Sequence, residues 1–164
     1  MAHRSFRSRL RAYQIMRGNP PDPGFVSDLD FLENRDVDLS VRLGAMLAFN
    51  ALLITIGTHP ISASPGAPLS LDAPTQPVLV LLSILGMVPL VVSCVFSLRG
   101  IMHGEEFDIE GLGGDAALRQ RLFATFVHSI DTQSRALYHA IRWTFAGGAA
   151  TMLVWVAILA DKMG

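Results

Sequence analysis

"VLVLLSILGMVPLVVSCVFSL", residues Val78 to Leu98, carries no Asp, Glu, Lys or Arg. A helix needs roughly 17–25 mainly apolar residues to cross the hydrocarbon of a bilayer, so this stretch is long enough to span. Two further apolar stretches flank it. One runs from Arg42 to Thr58, the other, "WTFAGGAATMLVWVAILA", from Trp143 to Ala160. The composition agrees: of 164 residues 51% are hydrophobic and only 16% charged, and the mean hydropathy is +0.40. That is too apolar and too poor in charge for a water-soluble domain of this size. The expected fold is an all-α membrane protein with three transmembrane helices.

The polar segments between the spans set the orientation. Before and at the start of the first span stand Arg4, Arg7, Arg9, Arg11, Arg17, Arg35 and Arg42. The segment from His59 to Pro77 has no Lys or Arg, that from Arg99 to Arg142 has five, and the C-terminal tail has Lys162 alone. Basic residues stay on the cytoplasmic side, so the N-terminus is expected inside, the first loop outside, the second inside and the C-terminus outside.

Residues 1–24 read as a basic N-terminal tail or an interfacial helix. The arginines alternate with Phe6, Leu10, Tyr13, Ile15 and Met16, and "GNPPDPG" then breaks any helix. No apolar core of signal-peptide length precedes the spans. Residues 25–164 read as one membrane domain, with 25–41 a helical approach to the first span. Pro89 inside the second span is expected to free a carbonyl and kink the helix.

From Asp115 the pattern turns helical. Leu118, Leu122, Phe126, Ile130, Leu137 and Ile141 form an apolar stripe, and no Gly or Pro interrupts residues 115–146. The spacing predicts one helix that begins as a cytosolic amphipathic segment over about 115–142 and runs into the third span. At 1.5 Å per residue it would be on the order of 70 Å long. Its stripe requires a cover: the segment before the first span, a second copy of the chain, or the membrane surface.

The polar face of that helix collects Arg121, His128, Asp131, Arg135, His139 and Arg142, with Tyr138 close by. A cationic face near the membrane can hold a phosphate-bearing ligand, an anionic lipid head or an acidic segment of another subunit. The plainer reading is a solvated face with an Asp131–Arg135 ion pair, worth little. The sequence has no nucleophile elbow, oxyanion motif or metal-ligand set, so no catalytic residues, metal or cofactor are expected. The five histidines, His3, His59, His103, His128 and His139, lie at span edges or outside, which argues against haem. "GLGG" at Gly111–Gly114 follows no strand and reads as a turn. Cys94 stands alone and reads as a small apolar residue. Gly147 and Gly148, within "AGGAA", are small enough to let helix backbones approach, within one chain or between copies.

Asn50 is the odd residue of the first span, placed about halfway along it. An unpaired amide in hydrocarbon costs a few kcal/mol. Three readings are open: it bonds a carbonyl freed near Pro89, it pairs with Asn50 of another copy, or it lines a water path.

"RLGAMLAFNALLITIG", Arg42 to Gly57, resembles the first transmembrane segment of the small Pycsar-type effector family. There a basic residue, a small residue and a "LAxN" core open the span, the places held here by Arg42, Gly44, Leu47, Ala48 and Asn50. "SIDTQSRALYHAIRWTF" resembles that family's helix leading into the last span, with Ser134 and Tyr138 in matching places. Ser40 and Arg42 stand where the family usually has an aspartate and a lysine. The resemblance implies a non-enzymatic protein of the bacterial inner membrane acting in antiphage defence. A cyclic nucleotide would signal it to disrupt the membrane through rearranged or oligomerised helices. The partners so implied are the lipid bilayer, further copies of the chain, and a cyclic nucleotide or partner protein, with no nucleic acid polymer. An accessory or assembly subunit of a larger membrane complex is the alternative.

Overall fold

The computed structural model describes residues 23–102 and 115–163, and the described residues contain four helices and no strand. Helix α1 is Pro23–Gly57, α2 is the single turn His59–Ser62, α3 is Pro77–Met102 and α4 is Asp115–Met163. Three of them, α1, α3 and α4, are long and apolar enough to cross a membrane. The expected N-terminal tail or interfacial helix and the Gly111–Gly114 turn lie outside the described residues.

The approach to the first span is continuous with it in α1. Likewise α4 is one unbroken helix of 49 residues, about 73 Å long, as the absence of helix breakers predicted. Pro89 sits within α3 without ending it.

The three long helices form an antiparallel bundle whose register can be read from its contacts. Asn50 meets Ser93 and Thr144. One end of α3 is fixed where Gly100 lies between Leu43 and Ala136, and toward the other end Gly86 rests on Ala150 and Gly57 on Met87. Among the described residues, some 20 residues of α1 and of α4 run on beyond Gly100 as a two-helix stalk, about 30 Å long.

The bundle is small and partly polar inside, and apolar outside. The buried residues of α3 are Ser83, Gly86, Leu90, Ser93, Ser97 and Gly100. They recur at alternating spacings of three and four, the seam spacing of helices packed at a shallow left-handed crossing. Between them, Val78, Leu81, Leu85, Val88, Val91 and Val95 point outward, Leu85 being 53% exposed. In water such a surface would be a large uncompensated apolar area. Against lipid it costs nothing, because acyl chains are as apolar as leucine and helices then associate by close packing of small residues.

At the end opposite the stalk, the loop after α1 folds against the C-terminus of α4. Lys162 Nζ donates to the Ala67 carbonyl at 3.2 Å, and Gln76 Nε2 donates to Asp161 Oδ2. The loop turns at Ser64–Ala67, where Ala67 N–H bonds the Ser64 carbonyl at 3.1 Å. Pro65 supplies the first central position and Gly66, at φ +88°, the second, which needs a positive φ.

Candidate functional site: a polar hub within the bundle

Asn50 of α1, Ser93 of α3 and Thr144 of α4 meet inside the three-helix bundle. Asn50 Nδ2 donates to Ser93 Oγ at 2.8 Å, and Thr144 Oγ1 donates to Asn50 Oδ1 at 2.8 Å. Ser93 Oγ donates to the Ala140 carbonyl at 2.7 Å and lies 2.9 Å from Thr144 Oγ1. Each hydroxyl has one proton to give, and this arrangement uses both. Asn50 and Ser93 have no solvent-accessible surface at all, and Thr144 is buried.

The expected bond to a carbonyl freed near Pro89 is not what forms: the partners of Asn50 in its own chain are two hydroxyl side chains. Register places Asn50 beside Ser93, five residues and about 8 Å along α3 from Leu98, the stalk-side end of its apolar run.

Small residues make the hub possible. A Cβ on Gly147 would stand 2.6 Å from Leu90 Cγ and 3.0 Å from the Leu90 backbone nitrogen, so α3 and α4 touch there through backbone. A Cβ on Gly100 would stand 2.7 Å from Leu43 Cδ1. By contrast Gly148 has open space beside it. The "AGGAA" segment thus divides: Gly147 packs within the chain, and Gly148 borders a groove.

A second polar cluster ties the stalk. Asp36 Oδ1 accepts from Ser129 Oγ at 2.9 Å and from Gln133 Nε2 at 2.8 Å. Gln133 is buried, as are Leu29, Leu39 and Ala136 around the same seam. So the segment before the first span does cover the long helix, but not along the expected stripe. Of the stripe, Phe126, Ile130 and Leu137 are half-buried and Ile141 is exposed. The contact runs beside the stripe, through Ser129, Ala136 and Ala140, whose short side chains allow a close approach, and through Gln133, which is hydrogen-bonded to Asp36. Neither Ser93, Thr144 nor Gln133 was singled out by sequence. The available signal was the spacing of Ser83, Gly86, Ser93, Ser97 and Gly100, all on one face of α3.

The cationic face of α4 stays outside. Asp131 and Arg135 pair at 2.8 Å on an exposed surface, as the spacing predicts. Arg42 is held by Asp38 at 3.0 Å, and the same Asp38 carboxylate takes Arg35 at 3.1 Å. The Arg142 guanidinium lies 5.6 Å from the Tyr138 ring centre, and His139 stacks on Phe96 at 5.1 Å. His128 is exposed on the stalk, apart from the hub. Among the described residues, no group of three or more His, Cys, Asp or Glu is placed to hold a metal ion.

Comparison of the chain with family models, with characterised proteins and with solved structures finds no match.

Proposed function

We propose that this chain is a non-enzymatic effector of the bacterial inner membrane, of the Pycsar type, in which a nucleotide signal rearranges a bundle that is otherwise held closed. One observation carries the reading. Asn50, the central residue of the segment that resembles the family, is the hub through which all three spanning helices are bonded. A residue that joins every helix is the place where a signal can loosen them together.

The orientation proposed puts the stalk in the cytosol. Arg42, Arg99, Arg135 and Arg142 gather at the stalk end of the bundle, and Lys162 stands alone at the other. This supports a cytoplasmic stalk, where a soluble signal or partner has access to it.

Co-expression with a cyclic-pyrimidine-nucleotide cyclase tests the reading. Loss of membrane potential, followed by a voltage-sensitive dye, is expected only when both proteins are present. Intact potential and normal growth with both present would sink it.

A second reading, an assembly subunit docking through the stalk, is favoured by a different observation. Phe31, Val37, Val41 and Val127 are exposed on the stalk, Phe31 to 71%. If the stalk is a docking arm, Phe31→Asp removes one defined partner from the purified complex and leaves the membrane potential untouched.

A further inference from the structure

One face of α1 stays uncharged from the bundle out into the stalk. Val37, Val41, Gly44, Ala48, Ala51 and Thr55 follow one another alternately four and three residues apart, so they form one stripe about 27 Å long. It lies opposite the residues that α1 buries, Leu39, Leu43, Asn50 and Gly57. All six are exposed except Gly44, which is half-buried and still has open space where a Cβ would stand. The charged side chains of the same stretch are turned elsewhere. Arg35, Asp38 and Arg42 are bonded to one another beside the stripe, and Asp36 faces α4. At the same levels the outward face of α4 carries Asp131, Arg135 and Arg142.

The stripe crosses the level at which the apolar run of α3 has ended. Gly100 lies against Leu43, so Gly44 to Thr55 stand on the membrane side of that level and Val41 and Val37 on the stalk side. Val37 is about 9 Å beyond Leu43 along the helix. Lipid tails cover only the membrane part of such a face and leave the two valines in water, Val41 being 65% exposed. A soluble protein covers the valines and stops at the headgroups. A cover for the whole stripe has to be a helix that itself passes from hydrocarbon into water. A second copy of α1 is such a helix. Copies of one chain insert in one orientation, so two α1 stripes face each other in parallel about a two-fold axis along the bilayer normal, each residue level with its own counterpart.

We infer that two copies of this chain pair through this face of α1, Val37 and Val41 packing in the stalk and Gly44, Ala48, Ala51 and Thr55 within the membrane. The alternation of three and four is the seam spacing of a parallel left-handed pair. Within the membrane the small side chains let the two backbones approach, which is what joins helices where no hydrophobic driving force acts between them. The apolar groove between α1 and α4, with Phe49 and Ile56 in its α1 wall, opens to one side of the stripe and stays outside the contact. The pair exists before any signal. A monomer in unsignalled membranes therefore ends this inference and leaves the effector reading standing, and an intact potential with a cyclase present does the reverse.

Cysteine crosslinking of the full chain, in membranes that contain no cyclase, tests it. In a Cys94→Ala background, Val41→Cys, Ala48→Cys and Thr55→Cys are each expected to form a disulfide-linked dimer on oxidation. Val88→Cys, on the outward face of α3, and Phe49→Cys combined with Met152→Cys, in the groove, are expected to give far less. Gly44→Leu places a side chain in the seam without meeting its own bundle, and should raise the dimer dissociation constant about tenfold while the diluted monomer unfolds like the parent. Fluorescence energy transfer between labelled copies in liposomes reads that constant. Ala51→Leu, one step along the stripe, repeats the test should Gly44→Leu fail to fold. A chain that stays monomeric, or dimers crosslinked as strongly at Val88 or across the groove as on the stripe, overturn the inference. So does a folded seam variant that pairs like the parent, or a stripe cysteine that captures another protein in place of a second copy.

Discussion

At the residue scale, the hub joins three short polar side chains that each come from a different helix. Hydrogen bonds inside membranes are worth about 0.6 kcal/mol on average, because the separated helices find other partners. Asn50 makes two, and its loss also leaves Ser93 and Thr144 rearranged in a space shaped for an amide. Asn50→Ala is therefore expected to cost about 1–3 kcal/mol, read from reversible unfolding in mixed micelles. Asn50→Asp would place a carboxylate in the same buried position and is expected to destabilise more. The Asp131–Arg135 pair is the contrasting case. Both side chains are exposed, and Arg135→Ala should change stability by less than about 0.5 kcal/mol.

At the element scale, the two glycines of "AGGAA" make opposite predictions although they are neighbours. Gly147→Val must push α4 away from the α3 backbone and is expected to cost on the order of 1–3 kcal/mol or more. Gly148→Ala meets nothing within 4 Å and should be neutral or slightly stabilising, through its higher helix propensity. Thermal unfolding of the two variants side by side checks the pair. Asp36 gives the equivalent test in the stalk. Asp36→Ala leaves Gln133 and Ser129 without their shared acceptor, and should raise hydrogen exchange along residues 120–135 while leaving the hub region protected.

At the scale of the whole molecule, the distribution of side chains is inverted relative to a water-soluble bundle. Ser93, Ser97 and Asn50 are inside, and Leu85, Val91 and Phe145 are outside. An aspartate at Leu85 would face the hydrocarbon, at a cost of about 2.5–3.5 kcal/mol on insertion scales, and is expected to reduce insertion of α3. Protease protection of the inserted fraction measures it. The same substitution at an outward position of the stalk, such as Val127, should leave insertion unchanged.

The sequence determined the class of the protein. Charge-free runs of spanning length and the lack of helix breakers after Asp115 required three long apolar helices and the continuity of the last with its approach segment. These are local properties, set by transfer free energy and backbone geometry along one chain. Asn50 was conspicuous for the same reason, as a polar group in a run of apolar ones. Its partners were not, because Ser93 and Thr144 are ordinary in a membrane helix until another helix is placed against them. The relative register of α1, α3 and α4 decided which serine met the amide, which glycine carried a contact and where the groove opened. That register is fixed by close packing of side chains far apart in sequence, such as Leu90 on Gly147 and Leu43 on Gly100, and only the tertiary structure holds it.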